Sequence, residues 1–251
     1  MTPAAQSPPT AQNITTSPRL SIIIPTLDEE HSVATLLNDL EGLGVDHEVI
    51  VVDGGSIDRT RAVAQQRGAK VIMTRAGRGY QLAAGAAIAR GRILCFLHAD
   101  VRLPGRTRQS LADEAETMTS GAAVFTLTIN AEGRRFRLIE RMANWRTRVL
   151  GLPYGDQGLL VARADYDAVG GYQDIKLMED VAIVRALRRH SIVRLLDEKL
   201  LVSARRWRRD GVWRRTLGNW TLVTLYMMGF SPNVLARLYR TSETSGRRLT
   251  R

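Results

Sequence analysis

The sequence lacks paired cysteines, a secretory signal and the glycine motifs of dinucleotide and P-loop sites. Cys95 is its one cysteine, which excludes a disulfide within the chain and is typical of a reducing compartment. The start has no basic segment followed by an apolar one, so a secretory signal is not expected. Without G-x-G-x-x-G or a P-loop pattern, both of those nucleotide folds are disfavoured. A cytoplasmic protein is therefore the expectation.

The composition predicts one large domain with appendages. The chain has 251 residues, of which 44% are apolar, so a sizeable core is expected. The start is the exception, because residues 1–19 are rich in Pro, Ser, Thr and Ala and have no periodicity. This composition predicts a disordered tail.

The positive charge is concentrated near the end of the chain. The formal net charge is +11, and the residues from Arg188 onward contain 15 Lys and Arg against 4 Asp and Glu. The first 187 residues are balanced. A basic C-terminal quarter indicates an anionic partner, which could be a phosphate, an acidic membrane or a nucleic acid.

Apolar runs typical of buried strands alternate with helical patterns in the first hundred residues. The runs are 20–25, 47–53, 69–73 and 92–98. A further strand is predicted at 122–130, and helices at 135–151 and 177–190. This alternation predicts an α/β fold with a mostly parallel central sheet and helices on both faces. In such sheets ligands bind at the carboxyl ends of the strands.

Polar segments follow each of the first four strands. They read TLDEE, DGGSIDRT, RAGRG and HAD, and they should converge on one crevice. His98 and Asp100 in the last segment are two positions apart, which places them on one face of an extended chain. A carboxylate suits magnesium or manganese bridged to phosphates, and the imidazole favours manganese. The alternative is that the two residues only cap the strand or form a turn.

Two further groups of neighbouring residues are candidates for a functional site. Glu179 and Asp180 begin a predicted helix, where a carboxylate can act as a general base or merely compensate the helix dipole. Arg205, Arg206 and Trp207 combine cations with an aromatic ring. They predict either a phosphate clamp with a stacking surface or a solvated basic loop.

In this order, the motifs resemble those of the family 2 glycosyltransferases with the GT-A fold. The chain supplies PTLDE (25–29), DGGSIDRT (53–60), HAD (98–100) and MED (178–180), and the resemblance covers residues 20–210. SARRW is similar to the Q-x-x-R-W motif of processive members. HAD together with GDQ is similar to short bacterial members, some of them named for arsenosugar biosynthesis. The resemblance leaves residues 211–251 as a basic, amphipathic helical extension.

The resemblance assigns expected roles to individual residues. Asp53 would hold the uracil of a UDP-sugar, Glu29 would line the same pocket and Arg78 would meet the base or phosphates. Asp100, with His98, would hold Mn²⁺ or Mg²⁺, and Asp180 would be the base. The donor-binding set is Pro25, Thr26, Glu29, Asp53, Gly54, Arg78 and Ala99. The acceptor-binding set is Asp156, Gln157, Glu179, Arg206 and Trp207.

Two positions depart from the family pattern, since Gly54 replaces a common second aspartate and His98 replaces the first acid of the metal motif. The implied reaction is an inverting transfer of a sugar to an acceptor hydroxyl, because one base and no second carboxylate nucleophile are found. The alternatives are a nucleotidyltransferase and a non-catalytic nucleotide-sugar-binding protein at a membrane. The acidic TLDEE after the first strand disfavours a nucleotidyltransferase, which would need a basic glycine-rich loop there.

The C-terminal segment 212–230 is apolar but interrupted by arginines and polar residues, so it falls short of the ~20 residues of a membrane span. It is expected to lie on the inner face of the plasma membrane, with Trp213, Trp220, Leu225 and Tyr226 facing lipid. A lipid-linked acceptor would suit that position. The alternatives are packing on the domain or a homodimer face, and nucleic-acid binding is not expected.

Overall fold

The computed structural model describes residues 17–239, so most of the predicted tail lies outside the described residues. The strands are β1 (Leu20–Thr26), β2 (His47–Asp53), β3 (Lys70–Met73), β4 (Ile93–Phe96), β5 (Val101–Arg102), β6 (Ala122–Asn130), β7 (Leu159–Ala162) and β8 (Val193–Ser203). The helices are α1 (Glu30–Leu40), α2 (Thr60–Gln66), α3 (Arg78–Ile88), α4 (Gly105–Thr117), α5 (Arg134–Leu150), α6 (Arg163–Ala168), α7 (Glu179–His190), α8 (Arg205–Asp210) and α9 (Val212–Met227). Residues 155–157 form a 3₁₀ turn, and 232–239 are helical.

The eight strands form one mixed sheet in the order β3-β2-β1-β4-β7-β6-β8-β5. The first four strands are parallel to each other, as the alternation of strands and helices predicted. The prediction of a mostly parallel sheet holds only in part: β6 and β8 are also parallel, whereas β7 runs antiparallel to both β4 and β6, and β5 antiparallel to β8. The regular strand–helix alternation stops after β4, so the second half is not held to parallel crossovers.

Helices cover both faces of the sheet, as predicted. In β1, Ile22 and Ile24 point into a core that contains α1, α4 and α5, whereas Ile23 points into a second core with α3 and α7. Successive strand residues therefore alternate between two buried layers. Helix α3 lies so close to the sheet that a Cβ on Gly85 would be 2.4 Å from Cγ2 of Ile23.

The carboxyl ends of β1 and β2 are joined by one buried side chain. The Gln81 amide in α3 donates hydrogen bonds to the carbonyls of Thr26 (2.9 Å) and Val52 (2.8 Å). The loops that follow are also linked, since the Ile57 N–H donates to the Asp28 carboxylate at 2.9 Å. The TLDEE and DGGSIDRT segments thus meet at one edge of the sheet, as expected.

Helix α9 packs against α7 and the segment that follows α5. Its Val223 packs with Leu152 and Val181, while Trp213 and Leu217 are exposed. Among residues 17–239, no helix combines the length and the apolar character that crossing a bilayer would require.

Candidate active site

A cavity of about 150 Å³ lies at the edge of the sheet and brings together residues that are distant in sequence. Seven of the predicted site residues line it: Arg78, His98, Asp100, Asp156, Asp180, Arg206 and Trp207. Helix α9 contributes Asn219, Leu222 and Val223 to the same wall. The sequence reasoning missed this contribution of α9, because it treated 211–251 as an extension outside the domain.

Asp180 is buried beside a cation in the first turn of α7. Its Oδ2 lies 3.6 Å from Nη2 of Arg78, whose Nε is ion-paired with Glu179, and the Tyr172 hydroxyl is 3.5 Å from Oδ1. Burial raises the pKa of Asp180 to about 7, although the positive charge of Arg78 acts in the opposite direction. A carboxylate with this pKa can take up a proton near neutral pH.

The backbone of Gly155 and Met178 constrains the position of the Asp180 side chain. A Cβ on Gly155 would lie 2.3 Å from Oδ2 of Asp180, so only glycine leaves room for the carboxylate. Met178, which directly precedes α7, has a φ of 69°, in a left-handed region that long side chains rarely adopt. This conformation turns the chain sharply before Glu179 and so sets the direction in which the first turn of α7 points.

His98 and Asp100 line the cavity from a turn. Strand β4 ends at Phe96, so the two side chains are brought together by the turn and not by strand alternation. Nε2 of His98 is buried without a hydrogen-bond partner, and burial, with Arg78 and Arg206 nearby, lowers the pKa of His98. The ring is thus neutral and able to bind a metal. The Asp100 carboxylate lies 3.8 Å from Nε of Arg206.

The cavity offers few protein ligands to a metal ion. Residues 17–239 contain no group of three or more His, Cys, Asp and Glu side chains placed to hold a metal ion. The unpartnered His98 nitrogen and the Asp100 carboxylate are two suitable donors. The chemistry of these two donors is compatible with Mn²⁺ or Mg²⁺.

The predicted uracil-binding residue is the last residue of β2 and holds the loop that follows. Asp53 is fully buried, and its Oδ2 accepts hydrogen bonds from the N–H groups of Gly55 (3.1 Å) and Ser56 (2.9 Å). A Cβ on Gly54 would lie 3.1 Å from Nε2 of Gln81, so a larger side chain there would require a small shift of its neighbours. Nothing in the sequence pattern marked Gln81 as a site residue.

The other predicted donor residues lie outside the small cavity. Oε1 of Glu29 is 2.6 Å from Nη2 of Arg205, whereas Oε2 is buried without a partner. The predicted residues that do not line the cavity are Pro25, Thr26, Glu29, Asp53, Gly54, Ala99, Gln157 and Glu179. The donor roles of this loop region stay predictions.

The predicted acceptor residues divide into two groups. Asp156 lines the cavity, and its Oδ1 is buried without a hydrogen-bond partner. Gln157 is fully buried in the fold, where it donates to the carbonyl of Phe125 at 3.0 Å and accepts from the Thr147 hydroxyl at 2.7 Å. Trp207 is only 8% exposed, so most of its ring packs in the core. The side chain of Gln157 is thus engaged in the fold, and its acceptor role stays a prediction.

The sequence model described as Glycosyl transferase family 2 matches residues 21–178, which is more than half of the chain. The chain belongs to this family. The matched residues contain β1 to β4 and end just before Glu179 of α7, so they include His98 and Asp100 but not Asp180.

Two curated relatives of this family 2 protein match about a third of its length. A 4,4'-diaponeurosporenoate glycosyltransferase from Staphylococcus haemolyticus is 36% identical over 96 residues, which are 35% of this chain and 26% of the relative. A glucosyl-3-phosphoglycerate synthase from Mycolicibacterium paratuberculosis is 32% identical over 96 residues, which are 34% of this chain and 29% of the relative. The alignments thus span less than a third of either relative.

Solved structures share the fold of this family 2 protein. Residues 1–349 of Staphylococcus aureus TarS, in complex with UDP-GlcNAc, superpose with a TM-score of 0.57 at 17% identity and cover 73% of this chain and 58% of that one. Glucosyl-3-phosphoglycerate synthase from Mycobacterium tuberculosis, in complex with Mn²⁺, UDP and glucosyl-3-phosphoglycerate, gives 0.51 at 21% identity, with 74% and 71% covered. At these identities the similarity establishes the mixed α/β fold.

Proposed function

We propose that this protein is an inverting glycosyltransferase that moves a sugar from a UDP-sugar to an acceptor hydroxyl with the help of a divalent metal. The observation that carries the proposal is the placement of Asp180. Its buried carboxylate, with a pKa raised to about 7, lines the same cavity as the candidate metal residues His98 and Asp100. Membership of glycosyl transferase family 2 supports a transferase and does not favour a nucleotidyltransferase.

The proposed reaction is a single displacement. Asp180 accepts the proton of the acceptor hydroxyl, the oxygen bonds to the anomeric carbon of the sugar, and the bond from that carbon to UDP breaks with its electron pair on UDP. Attack from the side opposite the leaving group inverts the anomeric configuration. Arg78 orients Asp180 through the ion pair seen at 3.6 Å. His98 and Asp100 would hold a metal ion, which when bound neutralises charge on the diphosphate.

Two solved structures with the same fold support the proposed sugar donor and metal. One was determined with UDP-GlcNAc and another with Mn²⁺ and UDP. The same fold is present here, together with a histidine and an aspartate at the edge of the sheet. A UDP-sugar and Mn²⁺ are therefore the first donor and metal to test.

The pH dependence of UDP release tests the proposal directly. Asp180 works as a base only when it is ionised, and its raised pKa means that the ionised fraction increases as the pH rises through about 7. We expect kcat/KM to rise about tenfold per pH unit below that value and to level off above it. UDP release from UDP-glucose or UDP-GlcNAc, with a panel of alcohol acceptors, is the measurement.

The exposed Asp167→Asn variant should show the same pH profile as the unmodified protein. Release of pyrophosphate instead of UDP would favour a nucleotidyltransferase. Binding of a UDP-sugar with no UDP release would favour a non-catalytic binding protein. A rate that is constant from about pH 5 to about pH 8 would contradict the role of Asp180 as the base.

UDP affinity with and without metal tests the roles of His98 and Asp100. We expect UDP to bind more tightly with Mn²⁺ or Mg²⁺ than with a chelator, because the metal would bridge the diphosphate to the two side chains. Asp100→Ala should abolish that gain, His98→Ala should reduce it, and the exposed Asp113→Ala should leave it unchanged. Calorimetry is the measurement, and equal UDP affinity with metal and with chelator would show that the metal role is wrong.

A further inference from the structure

A second cavity, of about 480 Å³, lies between α5, α7 and α9. Tyr154 and Val223 line both this cavity and the first cavity, which contains Asp180, so the two cavities share a wall. Four arginines line the second cavity: Arg146, Arg185, Arg188 and Arg189. We call these residues the arginine cluster and this space the arginine cavity.

The positive charge of the arginine cluster is only partly compensated, since the carboxylate of Asp156 interacts electrostatically with Arg146. No carboxylate lies within 4.0 Å of any of the four guanidinium groups in the described part of the chain, although ion pairs are formed elsewhere, as by Arg78 and Arg194. Arg188 and Arg189 are in the last turn of α7, where cations interact favourably with the helix dipole. That effect does not account for Arg146, which is on another helix. Four cations around one cavity therefore indicate an anionic ligand.

Arg146 has a buried guanidinium nitrogen that lacks a hydrogen-bond acceptor. The residue is only 4% exposed; its Nε donates to the Leu152 carbonyl at 2.8 Å, and its guanidinium carbon lies 3.4 Å from the centre of the Tyr154 ring. Nη2 of Arg146 and the hydroxyl of Tyr154 are both buried without hydrogen-bond partners. Leaving a buried charged group unpartnered is costly, so a ligand oxygen that accepts a hydrogen bond from the Arg146 guanidinium would stabilise the site.

Arg188 is held beside the end of α5 by a hydrogen bond. Its Nη1 donates to the carbonyl of Leu150 at 2.5 Å, and a Cβ on Gly151 would overlap the guanidinium. Gly151 has a φ of 59°, which also favours glycine. The chain after α5 is thus shaped to receive this side chain at the cavity.

The remainder of the cavity lining is mostly apolar. Leu150 and Met227 are each nearly half exposed, and Trp220 of α9 also lines the cavity. An anion alone would leave these apolar side chains in water. A ligand that joins an anionic group to a hydrocarbon chain would satisfy both parts of the lining.

We propose that the arginine cavity binds the phosphate group of an amphiphile, with the hydrocarbon chain along Leu150, Trp220 and Met227, and that this amphiphile is the sugar acceptor. The shared wall places a ligand in the arginine cavity next to the cavity of Asp180. The assignment as acceptor rests on the proposed glycosyltransferase function, whereas the binding site itself does not.

Binding of three probes tests this proposal. The probes are dioctanoyl phosphatidic acid, inorganic phosphate and vesicles of phosphatidylcholine with phosphatidylglycerol, and the measurements are calorimetry and tryptophan fluorescence. We expect saturable binding of the phosphatidic acid, weakened about tenfold or more in the Arg185→Gln/Arg189→Gln protein. The control Arg141→Gln/Arg148→Gln removes the same charge from exposed positions of α5 that do not line the cavity, and should change the affinity less than twofold.

Each other outcome contradicts the proposal. Equal weakening in both double variants would mean non-specific attraction to a basic protein. Inorganic phosphate binding as tightly as phosphatidic acid, with the same dependence on the arginines, would make this a free-anion site. Vesicle binding that is insensitive to the arginine cluster, without saturable binding of phosphatidic acid, would indicate a membrane surface instead. UDP affinity, measured on the same proteins, separates these failures from a failure of the proposed function.

Discussion

Asp180→Asn is expected to lower the rate of sugar transfer by about 10²–10⁴-fold while UDP binds almost normally. The amide has the shape of the carboxylate but cannot accept the proton of the acceptor hydroxyl. Asp180 is buried and does not belong to the candidate metal pair, so the substitution leaves His98 and Asp100 in place. Single-turnover rates of UDP release and calorimetric UDP affinity are the two measurements.

The matched control is Asp167→Asn, at an exposed position of α6, which should be as active as the unmodified protein. Near-normal turnover of Asp180→Asn would show that the acidic pair only compensates the dipole of α7. A large loss of UDP affinity together with the rate would mean that Asp180 belongs to donor binding and not to the chemical step.

Gly155→Ala should reduce kcat by about 10²-fold through a single added methyl group. A Cβ at this position would lie 2.3 Å from Oδ2 of Asp180, so the carboxylate has to move away from its present position. The φ angle of Gly155 is outside the left-handed region, so alanine can adopt the backbone conformation. The loss is therefore expected in catalysis, with UDP affinity retained.

The control for Gly155→Ala is Gly105→Ala at the start of α4, where an added Cβ would meet no atom within 4 Å. Its kcat should be unchanged. The kcat values and melting temperatures of both variants decide between the explanations. A Gly155→Ala protein with an unchanged kcat would show that catalysis tolerates displacement of the Asp180 carboxylate. A large fall in its melting temperature would show that the close contact matters for folding stability instead.

The first half of the fold was predictable because each strand is one apolar run followed by polar residues. The predicted bounds of β2 match the observed bounds, whereas β1 ends one residue later than predicted. Strand β8 could not be assigned, because its residues alternate irregularly between buried and exposed. Its pairing with β6 shifts register between Phe125 and Thr126, an irregularity that depends on the partner strand and leaves no local pattern.

Site residues that belong to a sequence motif could be predicted. Residues that reach the site only through long-range packing could not. Arg78 and Asp180 are about a hundred positions apart, yet their motifs placed both at one site, and both line one cavity. Gln81 was missed because its partners lie in two other strands, and a single glutamine in an Ala-rich helix has no distinctive signal. Gln157 was assigned to the acceptor by its motif, but its amide is used inside the core.

The pairing of β5 with β8 has a mechanical consequence for the site. Val101 is paired with Val202, and the Ser203 N–H donates to the carbonyl of Asp100 at 3.2 Å. The turn that carries Asp100 is therefore fastened by backbone hydrogen bonds to the strand that leads into Arg205 and Arg206. A backbone displacement of one segment is therefore expected to be transmitted to the other, which couples the position of the Asp100 carboxylate to that of the two arginines.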